Sequence, residues 1–289
     1  MAAMGGGSIF HPVIDGEEAR RALAAAEAAK DPLIPADRID IESMVIAQRW
    51  ERYSEEDHEV WRVCFDRRMG QLETHASNVF LGGMRAINLK RERVPPLADV
   101  NARLKPMTGW QSRGVPGYLP PKVFFAFLAQ RQFPTTLSVR PKTSMDYLPE
   151  PDIIHDVFGH VPLHADPVFA EFLQTYGKAA LHTNDPFHTE RLARLFWFTV
   201  EFGLIHEEGK LKLYGSGLIS SDGEGRHALE SAEVERRPFD LERVCNTSFE
   251  IDHYQPVLYV LDSFEQLRDG MTTYANRILS EPGSKRKSA

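Results

Sequence analysis

Apolar and polar positions alternate along this chain in blocks that predict a succession of helices with a few short strands. Strong helix formers fill Glu17 to Lys30 (EEARRALAAAEAAK), which predicts an exposed helix, while the Gly-rich Met1 to Ser8 before it is expected to fray. Ser54 with Asp57 reads as a capping box opening a helix whose apolar face is Val60, Trp61, Cys64, Phe65, Met69 and Leu72. Two further helices are expected, one from Val79 to Leu89 ahead of Pro95 and Pro96, and one from Ala98 to Leu104 stopped by Pro106. The stretch Gly109 to Pro121 (GWQSRGVPGYLPP) has too many glycines and prolines for a helix and predicts a loop with a shaped backbone. Lys122 to Gln130 resumes as an aromatic helix, and Thr135 to Arg140 alternates as a strand does.

Beyond Asp152 the periodicity predicts helices over Asp152 to Val161, Pro167 to Leu181 behind an Asp166 cap, and Thr189 to Ile205. Lys210 to Tyr214 and Pro256 to Val260 read as strands, and Phe264 to Leu279 as a closing helix. With no internal repeat, no βαβ alternation and no GxGxxG, the expected fold class is mainly α with a minor β component, and a dinucleotide-binding fold is not supported.

Bulk properties narrow the function. A chain of 289 residues with 42% hydrophobic content can bury one large core or two small ones. Its 34 Lys and Arg stand against 41 Asp and Glu, a net charge of −7, and only the last few residues gather basic side chains, so neither nucleic acid nor an anionic membrane is an expected partner. Two cysteines, Cys64 and Cys245, make no disulfide framework, which fits a reducing cytoplasm. No apolar stretch has the length of a membrane span, and residues 1–10 lack a secretory leader's pattern.

Against this background two anomalies stand out. Pro151 to Leu163 (PDIIHDVFGHVPL) sets His155 and His160 among apolar residues, and Leu195 to Ile205 (LFWFTVEFGLI) holds one ionisable group, Glu201. Buried polar groups need partners, and two imidazoles with one carboxylate are the facial triad of non-heme iron(II) oxygenases. On an α-helix a five-residue step turns the second histidine about 140° from the first, so His160 and His164 would make the neater pair. The same residues also fit a plainer account, in which His155 and His160 are core histidines bonded to carbonyls and Glu201 pairs with a distant arginine. His164, His182 and His188 read as surface residues, Trp197 as core packing, and Arg140 as a surface cation whose fork suits a carboxylate. A zinc hydrolase using the same ligands lacks the HExxH spacing, and a non-catalytic protein binding an aromatic ligand is a further alternative.

The segments PEPDIIHDVFGHVPL, FWFTVEFGL and YGSGLISS resemble, in order, motifs of the tetrahydropterin-dependent aromatic amino acid hydroxylases, and most closely those of the short bacterial phenylalanine hydroxylases. The similarity runs from about Asp40 to Leu279. It implies a single catalytic domain of that type over residues 40–280, between an N-terminal extension (1–39, partly disordered) and a flexible charged tail (281–289). It implies Fe(II) bound by His155, His160 and Glu201, and a tetrahydropterin, tetrahydrobiopterin or a related pterin, cradled by Val115, Gly117, Tyr118 and Leu119 with Phe124 stacked on its ring. Arg140 matches the residue that binds the substrate carboxylate, Pro151 and Trp197 match pocket walls, and Gly217 and Ser220 match positions near substrate and iron. Molecular oxygen and an aromatic amino acid are the implied co-substrates. Trp197 favours phenylalanine, with tyrosine as product, because tryptophan-hydroxylating members carry Phe there. Asp156, Phe196, Leu148 and Pro121 differ from the Glu, Tyr, Thr and Ser of the animal enzymes. The length leaves no room for the family's regulatory domain, and without a heptad-patterned tail a monomer is expected.

Overall fold

The computed structural model describes residues 11–31, 34–35, 38–145, 150–251 and 253–280; the expected frayed stretch Met1 to Ser8, Leu148 and the charged tail 281–289 lie outside it. The Asp15 side chain accepts the amides of Glu17 and Glu18 and so caps α1 (Gly16–Ala28). This helix is not the exposed one expected from its composition. Ala19, Ala22 and Ala26 form a buried stripe, because side chains this small let the helix lie close against the 3₁₀ turn Ile41–Met44. The capping box forms as predicted, with Ser54 and Asp57 exchanging bonds at the start of α2 (Glu55–His75). Val60, Trp61, Cys64 and Leu72 are buried on its inner face, Phe65 and Met69 are partly buried, and so, unexpectedly, are His58 and Arg68.

Helix α3 (Asn78–Ala86) ends earlier than predicted and α4 (Leu97–Thr108) ends later. Pro106 forfeits one amide bond in the last turn, where the helix tolerates it, and the true stop is Gly109, at φ 79°. The loop predicted over 109–121 contains β1 (Gln111–Val115), which pairs in parallel with β2 (Gln132–Thr136) across α5 (Pro121–Ala129). This is a βαβ crossover that the sequence pattern did not reveal, since β1 (QSRGV) carries little apolar alternation. Thr135 to Arg140 is strand only as far as Thr136.

Helix α6 (Pro167–His182), capped by Asp166, packs between α5 and the closing helix α11 (Phe264–Ser280). The helix predicted over Thr189 to Ile205 divides into α7 (Pro186–Phe196), a π-helical segment (Trp197–Glu201) and strand β3 (Leu204–Glu207). An unbroken apolar run suits a buried helix and a buried strand equally, so periodicity could not place this break. At the break Gly203 lies so close to the Tyr214 ring that an added Cβ would come within 2.0 Å of it.

Strand β3 turns back into β4 (Lys210–Leu213) through Glu208 and Gly209, both at positive φ, as a two-residue hairpin requires. The four-stranded sheet runs β4-β3-β6-β5, with β6 (Val257–Leu261) parallel to both β3 and β5 (Glu235–Pro238). Short helices α8 (Ser216–Ser220), α9 (Asp222–Glu230) and α10 (Leu241–Asn246) fill the connection. One large apolar cluster spans α1 to α11, and a smaller one joins Ala26, Ala29 and Ile41 to Val115, Leu119 and Phe127. Among the described residues no helix is long and apolar enough to cross a membrane.

Candidate metal and pterin site

The first histidine segment is not an α-helix. Ile154–His160 forms a π-helix, followed by a 3₁₀ turn over Val161–Ala165. In a π-helix the bonded ladder links residues five apart, so His155 and His160 stack on one face and the five-residue spacing becomes the right one. Pro162 has no amide to donate back five residues to Val157, which helps end the π ladder. Glu201 closes the second π segment, where the Phe202 amide reaches back five residues to the Trp197 carbonyl at 2.9 Å.

The two segments face each other. His155 Nε2 and His160 Nε2 are 3.2 Å apart, and the Glu201 carboxylate lies 3.3 Å from His160 and 3.6 Å from His155. Donor atoms about 2.1 Å from one ion lie roughly 3.0 to 3.4 Å from each other, so the spacing suits a single cation. Burial pushes the His155 imidazole down to about 4, which leaves it neutral with a lone pair to give. Burial works to raise the Glu201 carboxyl, but attraction and a hydrogen bond from His160, attraction from His155 and a bond from Ser216 hold it down at about 2.

Helix α8 supplies the supporting hydroxyls, because Ser216 and Ser220, four residues apart, share one face. Ser216 Oγ donates to Glu201 Oε2 at 2.6 Å. Ser220 Oγ gives its only proton to the Ser216 carbonyl at 2.7 Å, so at 3.0 Å from His155 Nδ1 it must accept. That fixes the His155 proton on Nδ1 and turns the Nε2 lone pair to the site. Close approach of α8 depends on Gly159, whose Cβ would lie 3.2 Å from Ser216.

The sequence model of the family described as biopterin-dependent aromatic amino acid hydroxylase matches residues 48–283. The chain belongs to this family. A phenylalanine-4-hydroxylase of Caulobacter vibrioides is 43% identical over 78% of this chain and 76% of its own length. A crystal structure of Chromobacterium violaceum phenylalanine hydroxylase with bound iron(III) and oxidized cofactor 7,8-dihydrobiopterin is 40% identical, covers 83% of this chain and 87% of that one, and has a TM-score of 0.78. The iron- and phenylalanine-bound structure of the same enzyme is 37% identical over 88% and 93% of the two chains, with a TM-score of 0.76.

The remaining candidates of this hydroxylase fall into three groups. Arg140 is buried rather than superficial: its Nε and Nη2 grip both oxygens of Asp152 at 2.9 and 2.8 Å, and Nη1 donates to the Met145 carbonyl. Asp152 also accepts the His155 amide at 3.0 Å, so the guanidinium is anchored to the turn that carries the first histidine. Phe124 reaches the site through aromatic edges, touching Phe133 at 6.2 Å, which in turn lies 4.7 Å from His160. The side chains of Val115 and Leu119 point into the smaller core cluster, whereas Tyr118 is 79% exposed. Gly117, with φ 154°, lies between them, and Pro151 is exposed.

Trp197 is partly buried, stacked on Phe249 at 4.5 Å and 14°, tilted on Phe202 at 4.6 Å, and bonded from Nε1 to Gln255 Oε1 at 3.0 Å. Phe202 continues this wall to Gly217, whose Cβ would come within 2.9 Å of its ring. His164 and His188 are buried, contrary to expectation, while His182 is exposed. His164 stacks on Trp110 at 4.7 Å and 24°, and His188 bonds to Tyr274 at 2.9 Å. Sequence reasoning missed Ser216 and Asp152 as supports for the ligands. The serine spacing in YGSGLISS was the available signal for the first, and the first aspartate of a histidine-bearing apolar run for the other.

Proposed function

We propose that this chain hydroxylates the ring of phenylalanine to give tyrosine, consuming molecular oxygen and a tetrahydropterin, with iron(II) held by His155, His160 and Glu201. The convergence of two imidazoles and one carboxylate from two π segments, with donor spacing fit for one ion, carries this reading. When bound, iron and reduced pterin would supply the electrons that make oxygen reactive toward an aromatic ring. The protein supplies placement. Arg140, held rigid by Asp152, would take the substrate carboxylate, and Trp197 and Pro151 would wall the ring. Phe124 would stack on the pterin, with the main chain of 115–119 beside it, since Val115 and Leu119 turn their side chains inward. Gly217 and Ser220 would border the substrate next to the iron ligands.

We read residues 40–280 as the catalytic unit, acting as a cytoplasmic monomer. The family match over 48–283 supports the first point, and two buried thiols outside any disulfide, Cys64 and Cys245, suit a reducing compartment. Metal analysis of the purified protein, followed by phenylalanine and tryptophan turnover with and without tetrahydropterin, tests the proposal. One equivalent of iron and pterin-dependent tyrosine formation are expected; turnover without pterin, or a preference for tryptophan, contradicts it.

A further inference from the structure

The C-terminus of α8 is closed by a residue from a distant helix. A five-residue helix leaves its last carbonyls without internal partners. The Ser216 carbonyl is taken by Ser220 Oγ and the Gly217 carbonyl by the Ser221 amide. The Leu218 and Ile219 carbonyls are both taken by Arg68 of α2, through Nη2 at 3.0 Å and Nε at 2.7 Å. The remaining nitrogen, Nη1, donates to Asp222 Oδ1 and Gln71 Oε1, each at 3.0 Å. Arg68 is 3% exposed, an unusual place for a cation unless all three of its nitrogens are bonded, as they are here. Gly225 makes room for it, since a Cβ there would sit 3.1 Å from Nη2 and 2.7 Å from the Leu218 carbonyl.

We infer that Arg68 is a positioning residue for the metal centre, acting through α8 to hold Ser216 against Glu201 and Ser220 against His155. This rests on the reading of His155, His160 and Glu201 as ligands. Arg68 touches neither ligand nor substrate. Its fork fixes two consecutive carbonyls, and with them the rotation of a helix whose first and last residues, Ser216 and Ser220, carry the two supporting hydroxyls. A lysine keeps the charge but lacks the planar fork that holds two carbonyls at once. Methionine fills similar volume and holds neither.

The test is a Co(II) titration of wild type, Arg68→Lys, Arg68→Met, Ser220→Ala and the Arg68→Met/Ser220→Ala double variant, followed by visible ligand-field absorption well below each melting temperature. Arg68→Met is expected to weaken Co(II) binding by about 10- to 100-fold and to shift the absorption band, as loss of an outer-shell support does. Arg68→Lys should fall between it and the wild type. The double variant should lose little more than Arg68→Met alone, because the Ser220 hydroxyl it also removes is one of the two that Arg68 already positions. A folded Arg68→Met with wild-type affinity and band overturns the inference, as do losses that multiply in the double variant. Should Arg68→Met fail to fold, wild-type binding by Arg68→Lys overturns it instead. A wild type that takes up no Co(II) removes the ligand assignment and the inference with it, whereas normal uptake matched by both Arg68 variants removes the inference alone.

Discussion

At the scale of single residues, the proposed centre depends on which atom each side chain presents. His155 shows Nε2 because Ser220 occupies Nδ1, and Glu201 is held by Ser216 on one oxygen. His155→Ala, His160→Ala or Glu201→Ala should therefore each abolish stoichiometric iron while circular dichroism stays unchanged; full iron content in any of them ends the assignment. Arg140 needs a gentler change than alanine, because its removal would leave the fully buried Asp152 unpaired, a loss of about 3 to 5 kcal/mol. Arg140→Lys should raise the KM for phenylalanine about 10-fold or more with iron content retained, since a lysine cannot grip Asp152 and a substrate carboxylate with one planar fork. An unchanged KM would argue that this guanidinium serves only Asp152. Trp197→Phe should improve kcat/KM for tryptophan relative to phenylalanine, because removing bulk from a packed wall relieves about 1 to 3 kcal/mol against a larger ring. If Trp197 only packs on Phe249 and Phe202, the ratio stays fixed and the melting temperature falls.

At the scale of elements, the two π segments matter most, since an α-helical Ile154–His160 would splay its histidines apart. What holds the segment is packing on either side, with α8 against Gly159 and α3 against the 3₁₀ turn that follows. Gly83 of α3 sits so near that turn that a Cβ would lie 1.9 Å from the Pro162 carbonyl oxygen. Neither partner is a flexible side-chain end. Gly83→Ala should accordingly destabilise by about 3 kcal/mol or more in denaturant unfolding, and should weaken iron binding as the turn shifts. Wild-type stability would mean that α3 moves without penalty.

At the scale of the whole molecule, stability should carry a pH signature from Glu224, on the helix following α8. Partial burial without a compensating cation pushes its carboxyl up to about 7, from an ordinary value of 4.5. The folded chain thus binds this proton more tightly than the unfolded one. The resulting stability is complete below the unfolded value and is lost as pH rises through about 7. Glu224→Gln cannot ionise, so between about pH 5 and about pH 8 its melting temperature should fall less than that of the wild type. Parallel curves for the two proteins would show that Glu224 ionises freely in the fold.

The sequence by itself determined the helical character, the capping box and the Asp166 cap, the apolar faces and the identity of the three chemically anomalous residues. These are local matters: an Asp57 three residues after Ser54 closes a capping box whatever the rest of the chain does, and a lone Glu201 in an apolar run must find a partner. Family motifs added the expected roles of Arg140, Trp197 and the 115–119 loop. The tertiary structure alone decided that Ile154–His160 winds as a π-helix, since that needs the close approach of Ser216 to Gly159 from far along the chain. Likewise only the fold could pair β1 with β2, bury His164 beside Trp110, commit Arg140 to Asp152 and bring Arg68 to the end of α8. Each of these depends on which long-range neighbour a residue meets, and periodicity along the chain carries no record of that.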